Sequence, residues 1–135
     1  MCPEELQKGD IIEVRLSQYD GIHPKGGFSD RRKYFVVLGI CNGYAMLGGI
    51  VVNSTINSKL SWRITDFQIA ISAAEYPFLE HDSYFDCSKL IKPRFATLTN
   101  AEMKGKASAA HFAEIINKVR NNPTIPRIEL QMFSI

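Results

Sequence analysis

The most constraining feature of this chain is Asn42-Gly43, set between two runs of β-branched and aromatic residues, Tyr34 to Cys41 and Tyr44 to Asn53. An Asn-Gly pair accepts positive φ at both centres of a tight turn, so two apolar runs flanking it read as an antiparallel hairpin. A hairpin needs further strands to be stable, and the sequence offers them. Ile12, Val14 and Leu16 alternate with Glu13 and Arg15, the period of a half-buried strand. Phe67, Ile69 and Ile71 alternate likewise, as do Tyr84 and Asp86 with Ser83, Phe85 and Cys87. Ile128, Leu130 and Met132 predict a last strand. Gly48-Gly49 predicts a bulge or a close backbone approach inside the second hairpin strand.

One helix is expected near the C-terminus. Thr99-Asn100-Ala101-Glu102 has the spacing of a capping box. Phe112, Ile115, Ile116 and Val119 form an i, i+3, i+4, i+7 stripe, Gly105 divides a short turn from the main helix, and Asn121-Asn122-Pro123 stops it. The predicted fold class is α+β and mainly β: a small antiparallel barrel with a C-terminal helix across it. At 135 residues the chain is expected to form a single domain, 1–135, since domains run to roughly 100–200 residues.

Composition narrows the function. Apolar residues are 45% and charged residues 22%, which excludes a disordered chain. Sixteen Lys and Arg against fourteen Asp and Glu leave a net charge of +2, too little to hold nucleic acid by bulk charge. The distribution is lopsided. Residues 64–87 carry five acids and no base, whereas residues 88–127 carry eight bases and two acids. Arg31-Arg32-Lys33 adds a second positive focus after a glycine-containing loop, Ser17 to Arg32. Such asymmetry permits a local phosphate-binding face. No window of 18 apolar residues suggests a membrane span, and MCPEELQKGD lacks the regions of a secretory signal. Three widely spaced cysteines suit a reducing compartment, so a cytoplasmic address is expected. No His, Cys and carboxylate grouping has metal-ligand spacing, and no glycine motif marks a nucleotide cofactor, so neither metal nor cofactor is expected.

The order of five segments resembles the MazF/PemK/Kid family of toxin endoribonucleases. Lys8-Gly9-Asp10-Ile11-Ile12 opens the chain, a loop ends in Arg31-Arg32, and Tyr34-Phe35-Val36-Val37-Leu38 follows. Val51-Val52-Asn53-Ser54-Thr55 occupies the place of the family's hydroxyl-bearing turn. Tyr84-Phe85-Asp86 with Ser88-Lys89-Leu90-Ile91 is similar to its late strand and short helix, and Leu98-Thr99-Asn100-Ala101-Glu102-Met103 to the start of its final helix. The resemblance spans residues 8–120. It implies an SH3-like barrel, a homodimer, cleavage of single-stranded RNA without a metal, and neutralisation by an antitoxin protein. The alternative is a non-catalytic SH3-like module that binds RNA or a protein partner, or a regulatory subunit whose groove its own loop fills.

The departures are specific. Lys33 and Tyr34 stand where the family often has proline after the strand-leading arginine, so the phosphate-holding cation is Arg32 or, as the second choice, Lys33. The Arg/Asp pair of some members has no match, and Phe78-Leu79-Glu80-His81-Asp82 sits there instead. Metal-independent cleavage needs a base for the 2′-hydroxyl proton, an acid for the leaving oxygen and a cation for the phosphorane. The candidate catalytic residues are Arg32, Ser54, Thr55, His81 and Asp82, with Arg31, Lys33 and Lys25 as RNA-binding cations. Ser54 and Thr55 compete for the hydroxyl role. His23 is a second loop histidine, while His111, Asp86 and Cys87 read as structural. An enzyme of this kind requires Arg32 and the Ser54/Thr55 hydroxyls to meet in one open groove.

Overall fold

A computed structural model describes residues 1–22, 30–54 and 65–135. Six strands among them form one sheet: β1 (Asp10–Ser17), β2 (Asp30–Cys41), β3 (Met46–Asn53), β4 (Gln68–Ile71), β5 (Ser83–Ile91) and β6 (Glu102–Lys106). The strand order is β4-β5-β3-β2-β1-β6 and every neighbouring pair is antiparallel. β4 and β6 are the two ends of that order, so among the described residues closure into the expected barrel is not seen; the mainly-β antiparallel class stands.

The hairpin forms, with Phe35 opposite Val51 and Cys41 opposite Met46. Its turn differs from the two-residue form expected. Asn42–Tyr44 make a 3-10 turn, and the left-handed residue is Ala45, at φ 51°, rather than Gly43. The backbone at Pro93 and Phe95 pins this end: Leu47 N–H donates to Pro93 O at 2.8 Å and Phe95 N–H to Ala45 O at 2.9 Å.

The continuous apolar run of β2 exists because both faces of the sheet are covered. Val36 and Leu38 join one core with Ile50, Phe85, Ile115 and Val119. Phe35 and Val37 join the other with Ile12, Leu16, Leu47 and Leu98. The Gly48-Gly49 expectation holds as a close approach; the bulge it faces has its extra residue, Leu38, in β2 rather than in β3. The β2–β3 register shifts between Val37 and Gly39, and a Cβ on Gly48 would lie 2.5 Å from the ring of Phe133. That ring, 1% exposed, closes the first core.

Three local expectations are overturned. The expected last strand is a helix, α2 (Arg127–Met132). Ile128 and Met132 also stand about one helical turn apart, and Pro126 opens a turn whose C=O accepts from Glu129 N–H at 3.0 Å and Leu130 N–H at 3.3 Å. Lys92 then clips Glu129 at 2.6 Å. The Thr99–Glu102 pattern caps no helix. Residues 95–100 form a 3-10 turn, and Glu102–Lys106, Gly105 included, pairs with β1 as an edge strand. The main helix, α1 (Ala109–Arg120), starts later, at Ser108, whose Oγ accepts from His111 N–H at 3.1 Å. Finally, Ser88 to Ile91 continue β5 instead of turning into a short helix.

Candidate functional site

Alternation along β2 decides where the cations point. Tyr34 packs with Val36 and Leu38, so Arg32 shares their face, while Arg31 and Lys33 share the face of Phe35 and Val37. The two choices for the phosphate-holding cation therefore belong to opposite faces. Each face has a cleft at this end of the sheet.

The first cleft, of about 290 Å³, is lined by Arg32, Tyr34, Ser54 and His81 and by the acids Glu13 and Glu80, with Arg31 and Lys33 on a rim it shares with the second cleft. Arg32 and Ser54 thus open onto one groove, and His81 joins them. Glu13 comes from β1, where it lies opposite Tyr34 and diagonal to Arg32. A single Glu13 oxygen, Oε1, takes both Arg32 Nε at 2.7 Å and Nη2 at 2.6 Å. Both side chains are partly exposed, at 36% for Arg32 and 20% for Glu13, and pairs of this kind contribute roughly 0–1 kcal/mol to stability. Tyr34 Oη donates to Phe78 O at 3.1 Å. Burial first and the Glu13 carboxylate second push the Tyr34 phenol above its ordinary range.

The second cleft, of about 220 Å³, collects Arg31, Lys33, Asn53, Asp86 and Lys89. Asp86 is its hub. Its carboxylate accepts from Asn53 Nδ2 at 2.9 Å, Gln68 Nε2 at 2.7 Å and Ser88 N–H at 3.0 Å, and from the Ser88 hydroxyl. Lys33 Nζ donates to Asn53 Oδ1, and Lys89 Nζ to Gly21 O at 3.0 Å. The structural reading of Asp86 is met in a richer form than the sequence suggested.

Asp82 is not brought to Arg32. Its Oδ1 accepts from Ala73 N–H at 2.9 Å and tethers the turn between β4 and β5. Thr55, Lys25 and His23 lie outside the described residues. His111 is held by the fold. Ser108 N–H donates to Tyr76 Oη at 3.0 Å, and the same hydroxyl shares a hydrogen bond with His111 Nδ1, 2.6 Å away. Cys87 is fully buried, and burial first and Asp86 second push its thiol up to about 12.

Sequence reasoning missed Glu13, Asn53 and Lys89. Glu13 carried one usable signal: it is a polar position of β1, and an antiparallel β1–β2 pair would set it near the arginines. Among the described residues no group of three or more His, Cys, Asp or Glu is placed to hold a metal ion. No described helix is long and apolar enough to cross a membrane.

No family model matches the chain, and no curated protein matches it. Solved structures do. The fold is similar to that of a chain in the crystal structure of the MazE-MazF complex from Deinococcus radiodurans, with a TM-score of 0.57 and 14% identity over 84% of this chain and 92% of that one. The likeness is one of fold.

Proposed function

We propose that this chain is a toxin-like endoribonuclease that cuts single-stranded RNA without a metal and is neutralised by an antitoxin protein. The observation that carries the proposal is the meeting of Arg32, Ser54 and His81 in one cleft. The MazE-MazF fold neighbour supports it, since the family that the sequence resembles pairs a toxin with an antitoxin. In this reading Arg32 holds the scissile phosphate, and Ser54 orients it through its hydroxyl. His81 exchanges a proton with one of the reacting oxygens. Arg31 and Lys33, with Lys25, hold the flanking backbone. The active species is a homodimer.

A purified sample incubated with single-stranded RNA in EDTA is expected to yield fragments ending in 2′,3′-cyclic phosphate. Arg32→Ala is expected to slow this by about 10²–10³-fold, the usual effect of removing one group that stabilises developing charge. Intact RNA with both proteins rejects the proposal.

A second reading is favoured by the Glu13–Arg32 ion pair, which already occupies part of the guanidinium. The chain would then bind RNA through the cations of the second cleft without cutting it. Retained binding with no cleavage, lost in Lys33→Ala and Lys89→Ala rather than in Arg32→Ala, selects that reading.

A further inference from the structure

We infer that Glu13 is the general base of the proposed cleavage, a role that Asp82, a candidate catalytic carboxylate of the sequence, is not placed to fill. The inference rests on the endoribonuclease reading and names a residue within it. The 2′-hydroxyl and the scissile phosphate belong to one nucleotide, so the group that removes the hydroxyl proton must stand beside the group that holds the phosphate. Asp82 fails this condition because it is tied to Ala73 N–H. Glu13 meets it, with Oε1 at 2.6 Å from Arg32 Nη2 in the cleft that Ser54 and His81 also line.

The geometry leaves room for both partners on one guanidinium. Arginine has five N–H donors. Glu13 uses the Nε–Nη2 edge, and the end-on Nη1–Nη2 edge is the one that suits two phosphate oxygens. A phosphate seated there sets its 2′-hydroxyl next to the carboxylate. The step balances as follows. Glu13 accepts the 2′-hydroxyl proton, the 2′-oxygen pair bonds to phosphorus, and the P–O5′ bond breaks. The leaving 5′-oxygen takes a proton from His81 in its imidazolium form or from water. The products are a 2′,3′-cyclic phosphate and a 5′-hydroxyl.

The charged and titratable groups facing Glu13 are Arg32 and Tyr34 on β2, Glu102 and Lys104 on β6, and Glu80 and His81 across the cleft. The Arg15–Asp30 pair lies one step along β1. His81 can impose its own limb on a pH profile, so the test separates the two by substitution.

Single-turnover cleavage of a short single-stranded RNA is measured in EDTA across pH for wild type, Glu13→Gln, Glu13→Asp and His81→Ala. Glu13→Gln is expected to slow cleavage by about 10²-fold or more. It is also expected to lose the limb on which wild-type activity falls as the carboxylate is protonated. Glu13→Asp keeps that limb at a reduced rate, and His81→Ala keeps it too. Binding of a 2′-O-methyl RNA, which has no 2′-proton to lose, stays within about threefold in Glu13→Gln, showing a folded and occupied cleft. A Glu13→Gln rate within threefold of wild type overturns the inference. So does a uniform slowing that leaves the carboxylate limb in place, the signature of a residue that only positions Arg32. Wild-type protein that does not cut RNA overturns the endoribonuclease reading itself, an outcome distinct from the other two.

Discussion

At the scale of single residues, chemistry here follows from which face a side chain takes. Arg32 and Lys33 are neighbours in sequence and pair on opposite faces of β2, Arg32 with Glu13 and Lys33 with Asn53, while Lys33 reaches the rim of both clefts. Residue type ranks Arg32 above Lys33 for holding a phosphate, but the face each one takes is settled only once the flanking apolar residues are assigned to a core. Glu13 was hidden for a related reason: its value comes from Arg32, nineteen positions away and reached only through the β1–β2 pairing. His111, Asp86 and Cys87 were readable as structural, since each lies within or beside an apolar pattern. Cys87 gives a prediction with a definite sign. Its thiol is raised in the folded state from 9.0 to about 12, so its contribution to stability is present below about 9 and is lost as pH rises toward 12. Urea midpoints should fall between pH 9 and 12, and fall less in Cys87→Ala. At pH 8 a thiol reagent should react with exposed Cys2 in the native protein and with Cys87 only after denaturation.

At the scale of elements, the strands whose alternation repeats were legible, down to the four residues of β4, while two other short elements were not. β1, β2, β3 and β5 each carry eight or more residues, and their cores confirm the pattern. The errors fell on the edge strand β6 and on α2, at five and six residues. At that length tertiary partners decide: β1 offers β6 an open edge, and Lys92 and the core hold α2. The hairpin turn was right in kind and wrong in detail, and this yields a paired prediction. Gly43 does not need its freedom, since its φ is not positive and a Cβ there meets nothing within 4 Å. Gly43→Ala should therefore leave stability within about 0.5 kcal/mol, or raise it slightly by restricting the unfolded chain. Gly48→Ala should cost about 1–3 kcal/mol, the range for overpacking a filled core, because its Cβ would drive into the Phe133 ring. Thermal melts of the two variants, read side by side, test the contrast.

At the scale of the whole molecule, the net charge of +2 describes neither cleft. The second cleft alone gathers three cations around one carboxylate, and the acids of residues 64–87 offset them elsewhere in the total. RNA binding through so few groups should depend on salt only moderately. Each phosphate contact adds roughly −0.7 to the slope of log K against log salt for a single strand. Two or three contacts thus predict a slope of about −1.4 to −2.1. Lys89→Ala should flatten it by about one contact, as read by anisotropy across a salt series. The mainly-β class was legible because hairpin and alternation signals are local. Closure was not, since it depends on whether the two sheet ends meet, and among the described residues β4 and β6 do not. The alternation of Arg32 and Lys33 along β2 has an evolutionary consequence. Adjacent codons specify side chains with different partners within the fold, so the strand can be retuned one position at a time. A change at position 32 has to be matched at Glu13 across the ladder, while a change at 33 has to be matched at Asn53. Neither obliges the other to follow.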